Sequence, residues 1–153
     1  MVPAKISTLE LSWATRPGGG GRTERHYRDF VVDGVALSTV LTADVVSAFG
    51  WAAADEQVAI VDRLLRRASP DLPEGRGSLY GCPECWDLGC GVVSLVIEGV
   101  QGGIVWRDFG FQNNYENAIY RMGYEDLGPF LFDGRDYHLL LAGLGRDIRE
   151  SGV

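Results

Sequence analysis

The sequence has few positive charges and no long apolar run. Its 153 residues include 14 lysines and arginines against 21 aspartates and glutamates, for a formal net charge of -7. A nucleic-acid-binding protein needs a basic surface to neutralise phosphates, so this balance argues against that class and suits a basic protein partner. No stretch reaches the roughly 20 apolar residues of a membrane-spanning helix, and no apolar segment of a signal peptide follows Met1. We therefore expect a cytoplasmic protein that binds neither nucleic acid nor a membrane.

Motifs for catalysis or cofactor binding are also missing. The glycine tract at residues 18–21 lacks the Gly-Lys-Ser/Thr ending of a phosphate-binding loop. No nucleophile-elbow pattern surrounds a serine, and the two histidines, His26 and His138, have no evident nucleophile partner. The odd number of cysteines, three, suits a reducing compartment, because a secreted chain would leave one thiol unpaired. Because these motifs are missing, we predict no catalytic residue and favour a protein that is not an enzyme.

The hydrophobic pattern predicts two β-hairpins. Residues 5–13 alternate apolar and polar side chains, which is typical of a strand with one buried face. A second strand at 26–32 is expected to pair with it across the glycine tract. The other hairpin is predicted from strands at 92–98 and 104–109, followed by a long loop at 112–126.

Two helices complete the predicted fold. Apolar residues recur at helical spacing over 54–68. Asp133 is a candidate N-cap for a final helix, for which Gly143 or Gly145 supplies the stop. We expect residues 1–153 to form a single α+β domain with a largely antiparallel sheet and two helices packed on one face.

All three cysteines lie within nine residues, in the run from Gly81 to Gly91. Their spacing, Cys-x2-Cys-x4-Cys, brings three soft ligands within reach of one tetrahedral zinc ion. The predicted zinc ligands are Cys82, Cys85 and Cys90. A closed structural site needs a fourth ligand. The candidates for it are His26, His138 and Asp87.

Two other interpretations of the cysteines stay open. Cys82 to Cys85 matches the Cys-x-x-Cys pattern of thiol-dependent oxidoreductases, but no helix is predicted after it to lower the thiol pKa. Small thiols also pack well inside compact turns, and three glycines and a proline suit such a turn. In that case Asp87 accepts backbone N–H bonds and organises the loop. The flanking residues favour the packed turn, with zinc as the alternative.

The segment from Leu79 to about Leu141 resembles a group of small uncharacterised bacterial proteins. They share a cysteine–glycine turn, a Val-x-Trp strand and a Gly-Pro-Phe-x-Phe-Asp segment that opens the last helix. The matching residues are Cys82, Cys85, Asp87, Gly89, Cys90, Gly91, Ile104, Trp106, Phe109, Gly128, Pro129, Phe130, Phe132, Asp133 and Tyr137. The group often has glycine after the second cysteine. In this chain the position holds Trp86. We expect it to be either an exposed contact residue or a side chain that covers the turn.

The resemblance implies no activity, so the functional hypothesis rests on charge and on the missing motifs. The leading hypothesis is a small, cytoplasmic, non-enzymatic domain that binds another protein, in an immunity-type or accessory role. One alternative is a zinc-stabilised domain with Cys82, Cys85 and Cys90 as ligands. The other is a thiol-dependent oxidoreductase.

Overall fold

Two β-sheets and two α-helices form the fold in the computed structural model, which describes residues 2–151. In chain order the strands are β1 (Ile6–Ser7), β2 (Leu9–Arg16), β3 (Arg25–Val32), β4 (Val35–Ala36), β5 (Gly77–Tyr80), β6 (Val92–Val100), β7 (Gly103–Gln112) and β8 (Phe130–Asp133). The helices are α1 (Ala54–Leu64) and α2 (Gly134–Ser151). No helix within the described part of the chain is long and apolar enough to cross a membrane.

The predicted α+β class with a largely antiparallel sheet is confirmed, and the strands divide into two sheets. The larger sheet has the order β1-β8-β7-β6-β5, antiparallel except for the β1–β8 pair. The smaller antiparallel sheet has the order β2-β3-β4. Helix α2 packs on β7 and β8, and α1 packs against α2.

Both predicted hairpins are present. β2 pairs with β3 from Leu9 opposite Val32 to Arg16 opposite Arg25, across the loop that holds the glycine tract. β6 pairs with β7 up to Val100 opposite Gly103. Gly102 takes a φ of 77° in that turn, a conformation that glycine adopts without steric cost. Alternating and β-branched residues therefore predicted these pairings correctly.

An aromatic cluster joins the two sheets to the helices. Trp106 on β7 is fully buried and makes edge-to-face contacts with Phe30 of β3 and Phe132 of β8. Its indole N–H donates to the Tyr137 hydroxyl at 3.1 Å, and that hydroxyl donates to the Leu64 carbonyl at 2.6 Å. The core thus connects both sheets and both helices through side chains that satisfy each other's polar groups.

The C-terminal ends of both helices differ from the prediction. α1 ends at Leu64 rather than at residue 68, because Arg66 takes a left-handed φ of 60°. The Arg66 and Arg67 amides then donate back to the Arg63 and Asp62 carbonyls, a helix stop that usually contains glycine.

The last helix begins as predicted but runs past its expected end. The Asp133 carboxylate accepts the Asp136 amide at 3.0 Å, which confirms the N-cap. Gly143 and Gly145 do not stop α2, which continues to Ser151. An added Cβ at Gly145 would lie 3.4 Å from Val61 of α1, so this glycine allows the two helices to approach closely.

Candidate metal centre

The cysteine turn, residues 82–91, connects β5 to β6. It begins after Gly81, whose amide and carbonyl both pair with Val46 at 2.8 and 3.0 Å. It ends at Gly91, where a φ of 95° and the ring of Phe111 leave no room for a side chain. These two fixed points hold the intervening thiols in a compact loop.

The three thiols converge. The Sγ atoms of Cys82, Cys85 and Cys90 all lie within 4.8 Å of one another, and those of Cys85 and Cys90 are 3.6 Å apart. Zinc–sulfur bonds of about 2.3 Å in a tetrahedron place sulfur atoms roughly 3.8 Å apart. None of the three cysteines forms a disulfide. The thiols therefore stand close to the separation that a shared metal ion requires.

The thiols are not packed in the interior. Cys85 and Cys90 are exposed and Cys82 is half-buried, so the burial of the thiols that the packed-turn interpretation expected is wrong. Buried packing was expected because free cysteine is among the most buried residue types. Here the interior side of the turn is filled by another residue.

That residue is Trp86. It is 4% exposed, so it covers the turn and is not an exposed contact residue. Its φ of 53° explains why glycine would suit this position. The indole N–H donates to the Val46 carbonyl at 2.9 Å, and the ring lies where a Cβ on Gly81 would be. With the indole turned inward, Cys85 and Cys90 face the solvent.

Backbone amides favour the ionised form of Cys82. Partial burial opposes ionisation of Cys82, but N–H groups of Glu84 and Cys85 donate to its sulfur, and its pKa lies below the usual value. The Asp87 amide donates to Cys85 Sγ at 3.4 Å. By contrast, contact with Cys85 and the nearby sulfur charges raise the pKa of Cys90 to about 11. Three thiolates this close repel each other, and a divalent cation would remove that repulsion.

Asp87 organises the turn, as expected for the packed-turn interpretation. Its carboxylate accepts the Gly89 amide at 2.7 Å, and its carbonyl accepts the Cys90 amide at 3.0 Å. These bonds form the short 3-10 turn Leu88–Cys90 that returns the chain toward Cys85.

The predicted fourth ligands do not join the thiols. Among the described residues, the metal-ligating groups that meet here are those of the three cysteines alone. His26 contacts the Glu24 carboxylate at 2.9 Å and the Thr15 hydroxyl at 3.0 Å. His138 lies on the exposed side of α2, and the Asp87 carboxylate is used within the turn.

A polar latch, which the sequence did not suggest, fastens the turn to the first hairpin. The Glu84 carboxylate accepts the Thr23 hydroxyl at 2.6 Å, the Thr23 amide at 3.0 Å and Arg16 at 2.8 Å. These bonds, the Thr23 hydroxyl first, lower the pKa of Glu84 to about 2. Arg16 also bonds Asp44 at 2.7 Å, and Arg25 donates to the Pro83 carbonyl at 2.6 Å. No local pattern links residues so far apart in sequence.

The comparisons with known proteins add no identification. No family model, curated protein or solved structure matches this chain. The resemblance of Leu79 to Leu141 to small bacterial proteins therefore remains a prediction from the sequence pattern.

Proposed function

We propose that this protein is a small, cytoplasmic, non-enzymatic domain that binds one zinc ion through Cys82, Cys85 and Cys90. The observation that carries the proposal is the meeting of three reduced thiols within 4.8 Å on an exposed turn. Thiols used for packing would be buried, whereas thiolates that share a zinc ion gain the charge compensation that this cluster needs.

The oxidoreductase alternative has less support. An activated Cys-x-x-Cys pair usually sits at a helix N-terminus, where the helix dipole stabilises a thiolate. Only the short turn Leu88–Cys90 follows Cys85 here, and a third thiol lies 3.6 Å away. Despite partial burial, backbone N–H groups lower the pKa of Cys82, the first cysteine of this pair, but no helix N-terminus among the described residues adds to their effect.

Elemental analysis tests the zinc proposal. Protein purified under reducing conditions, without a histidine tag or chelator, is expected to contain about one equivalent of zinc per chain, because structural zinc sites bind tightly. Cys85→Ser and Cys90→Ser should each lower that content. Asp126→Asn is the control and should retain zinc, because it alters an exposed carboxylate outside the turn. Less than about a tenth of an equivalent in the reduced wild-type protein would contradict the proposal.

A second candidate function is the binding of a basic protein partner, in an immunity-type or accessory role. Three large side chains in the loop at 113–129 are exposed: Tyr115 at 73%, Tyr120 at 57% and Met122 at 88%. Tyrosine and methionine are enriched at protein interfaces. The same loop exposes Glu125 and Asp126, and the chain carries a net charge of -7, which would attract a basic surface.

Affinity capture tests this second function. The wild-type protein should recover a stoichiometric basic partner from a native lysate. The double variant Tyr115→Ser/Met122→Ser should lose it. Leu139→Ser, which alters an exposed apolar residue on α2, is the matched control and should keep it. Equal recovery by the wild type and the double variant would refute binding through this loop.

A further inference from the structure

The cysteine turn offers three ligands to an ion that prefers four. Within residues 2–151, the other groups considered as ligands have partners or positions elsewhere in the fold. His26 contacts Glu24 and Thr15, the Asp87 carboxylate bonds Gly89, and Glu84 is held by the latch. Three protein ligands plus one exchangeable position is the arrangement of zinc sites that receive a further ligand.

The open position would face solvent. Trp86 and the backbone of the turn occupy the inner side of the cluster, whereas Cys85 and Cys90 are exposed on the outer side. The loop at 113–129 borders the turn at Gly89, where an added Cβ would lie 3.7 Å from the Asn114 side-chain oxygen. A ligand can therefore approach from outside without any rearrangement of the core.

The charge at the site selects the class of ligand. Three thiolates on one divalent zinc ion leave one net negative charge, and the Asp87 carboxylate lies in the same turn. An anionic fourth ligand would add to this excess. Among the common protein ligands of zinc, the neutral one is the imidazole of histidine.

We propose that the fourth position of the zinc site is open and is filled by a neutral imidazole from outside this chain, supplied by a histidine of a basic partner protein. This inference rests on the proposed zinc function. It gives the exposed cysteine turn a direct part in recognition: the metal binds the histidine, while the exposed Glu125 and Asp126 of the loop at 113–129 and the net charge of -7 attract the positive charges around it.

Cobalt(II) replacing zinc in the full chain reports directly on the fourth ligand. We expect one cobalt per chain, with a thiolate charge-transfer band and visible bands that free imidazole shifts in a saturable way. Acetate at the same concentration should leave them unchanged. His26→Gln and His138→Gln should each start from the wild-type spectrum. A changed starting spectrum in either variant would reveal an internal fourth ligand and overturn the inference.

Two peptides distinguish a protein histidine from a small imidazole. An Arg-His-Arg peptide with blocked ends should shift the cobalt bands at least tenfold more tightly than free imidazole at low salt, and an Arg-Ala-Arg peptide should not shift them. A peptide no tighter than imidazole would overturn the partner histidine. Two results would overturn the open position while leaving the zinc function intact. In the first, imidazole does not change the bands of the bound cobalt. In the second, imidazole abolishes the charge-transfer band. Reduced protein that binds neither cobalt nor zinc would overturn both proposals.

Discussion

Two polar clusters of this protein differ in how completely the chain satisfies them. Around Arg76, a buried guanidinium meets acceptors from β6 and β7. In the cysteine turn, exposed thiols meet each other and a few backbone amides. The first cluster has its counter-charge in Asp108, whereas the hydrogen bonds of the thiols within residues 2–151 come from each other and from backbone amides. The first cluster is complete as a structural unit, whereas the second is the one for which we propose a bound metal ion.

The Arg76 cluster lies where the pairing of β6 and β7 shifts register. Arg76 Nε donates to Gln112 at 2.8 Å, and its other nitrogens donate to Asp108 at 2.8 Å and Ser94 at 3.1 Å. Asp108, at a φ of 56°, also receives Arg121 at 2.6 Å. Burial lowers the pKa of Arg76, and the Asp108 charge opposes that shift. This network connects Arg76, the residue before β5, to β6 and β7.

The largest effect is expected from Arg76→Ala. Arg76 is buried, but Asp108 is 32% exposed and keeps Arg121 as a partner, so we expect the lower end of the cost of about 3–5 kcal/mol for breaking a buried ion pair. We expect a loss of that size in the free energy of unfolding, measured by urea denaturation. Arg121→Ala removes a half-exposed partner of the same carboxylate and should cost less than about 1 kcal/mol. Similar losses in both variants would show that burial does not distinguish the two arginines.

Zinc removal should have the next largest effect. An ion that binds only the folded state, at a free concentration about 100-fold above its Kd, stabilises by roughly 3 kcal/mol. Adding a chelator to reduced wild-type protein is therefore expected to lower the free energy of unfolding by about that amount. Cys85→Ser should show little further response to the chelator, whereas Arg121→Ala should respond as fully as the wild type. A chelator response that survives in Cys85→Ser would place the metal elsewhere.

The fold was predictable where a local pattern encodes it. Alternation in β2 and β-branched residues in β6 predicted the two hairpins, and Asp133 predicted the start of α2. The helix ends were not predictable in the same way. Arg66 ends α1 in a conformation that usually signals glycine, and Gly145 lies inside α2 because α1 packs against it.

The candidate site was predictable in composition but not in exposure. The spacing of Cys82, Cys85 and Cys90 predicted that the thiols could meet. Their exposure depends on Trp86 turning inward to Val46, a contact between residues 40 apart in sequence. The latch from Glu84 to Arg16 spans 68 residues and left no local signal. Such contacts exist only after both segments have been positioned by the rest of the fold.

The smallest predicted effect concerns the latch and appears in the pH dependence of stability. Because the folded state holds the pKa of Glu84 at about 2, below its ordinary 4.5, the latch stabilises fully above about pH 4.5 and loses that contribution as the pH falls toward 2. Urea midpoints of reduced, zinc-free Glu84→Gln should therefore depend less on pH than wild-type midpoints across this window. Glu10→Gln, at the opposite end of β2 from Arg16, controls for the loss of one negative charge. Parallel pH profiles for wild type and Glu84→Gln would contradict this prediction. They would mean that the bonds of the exposed carboxylate with Thr23 and Arg16 add no stability. The core and the Arg76 cluster would then position the turn without the latch.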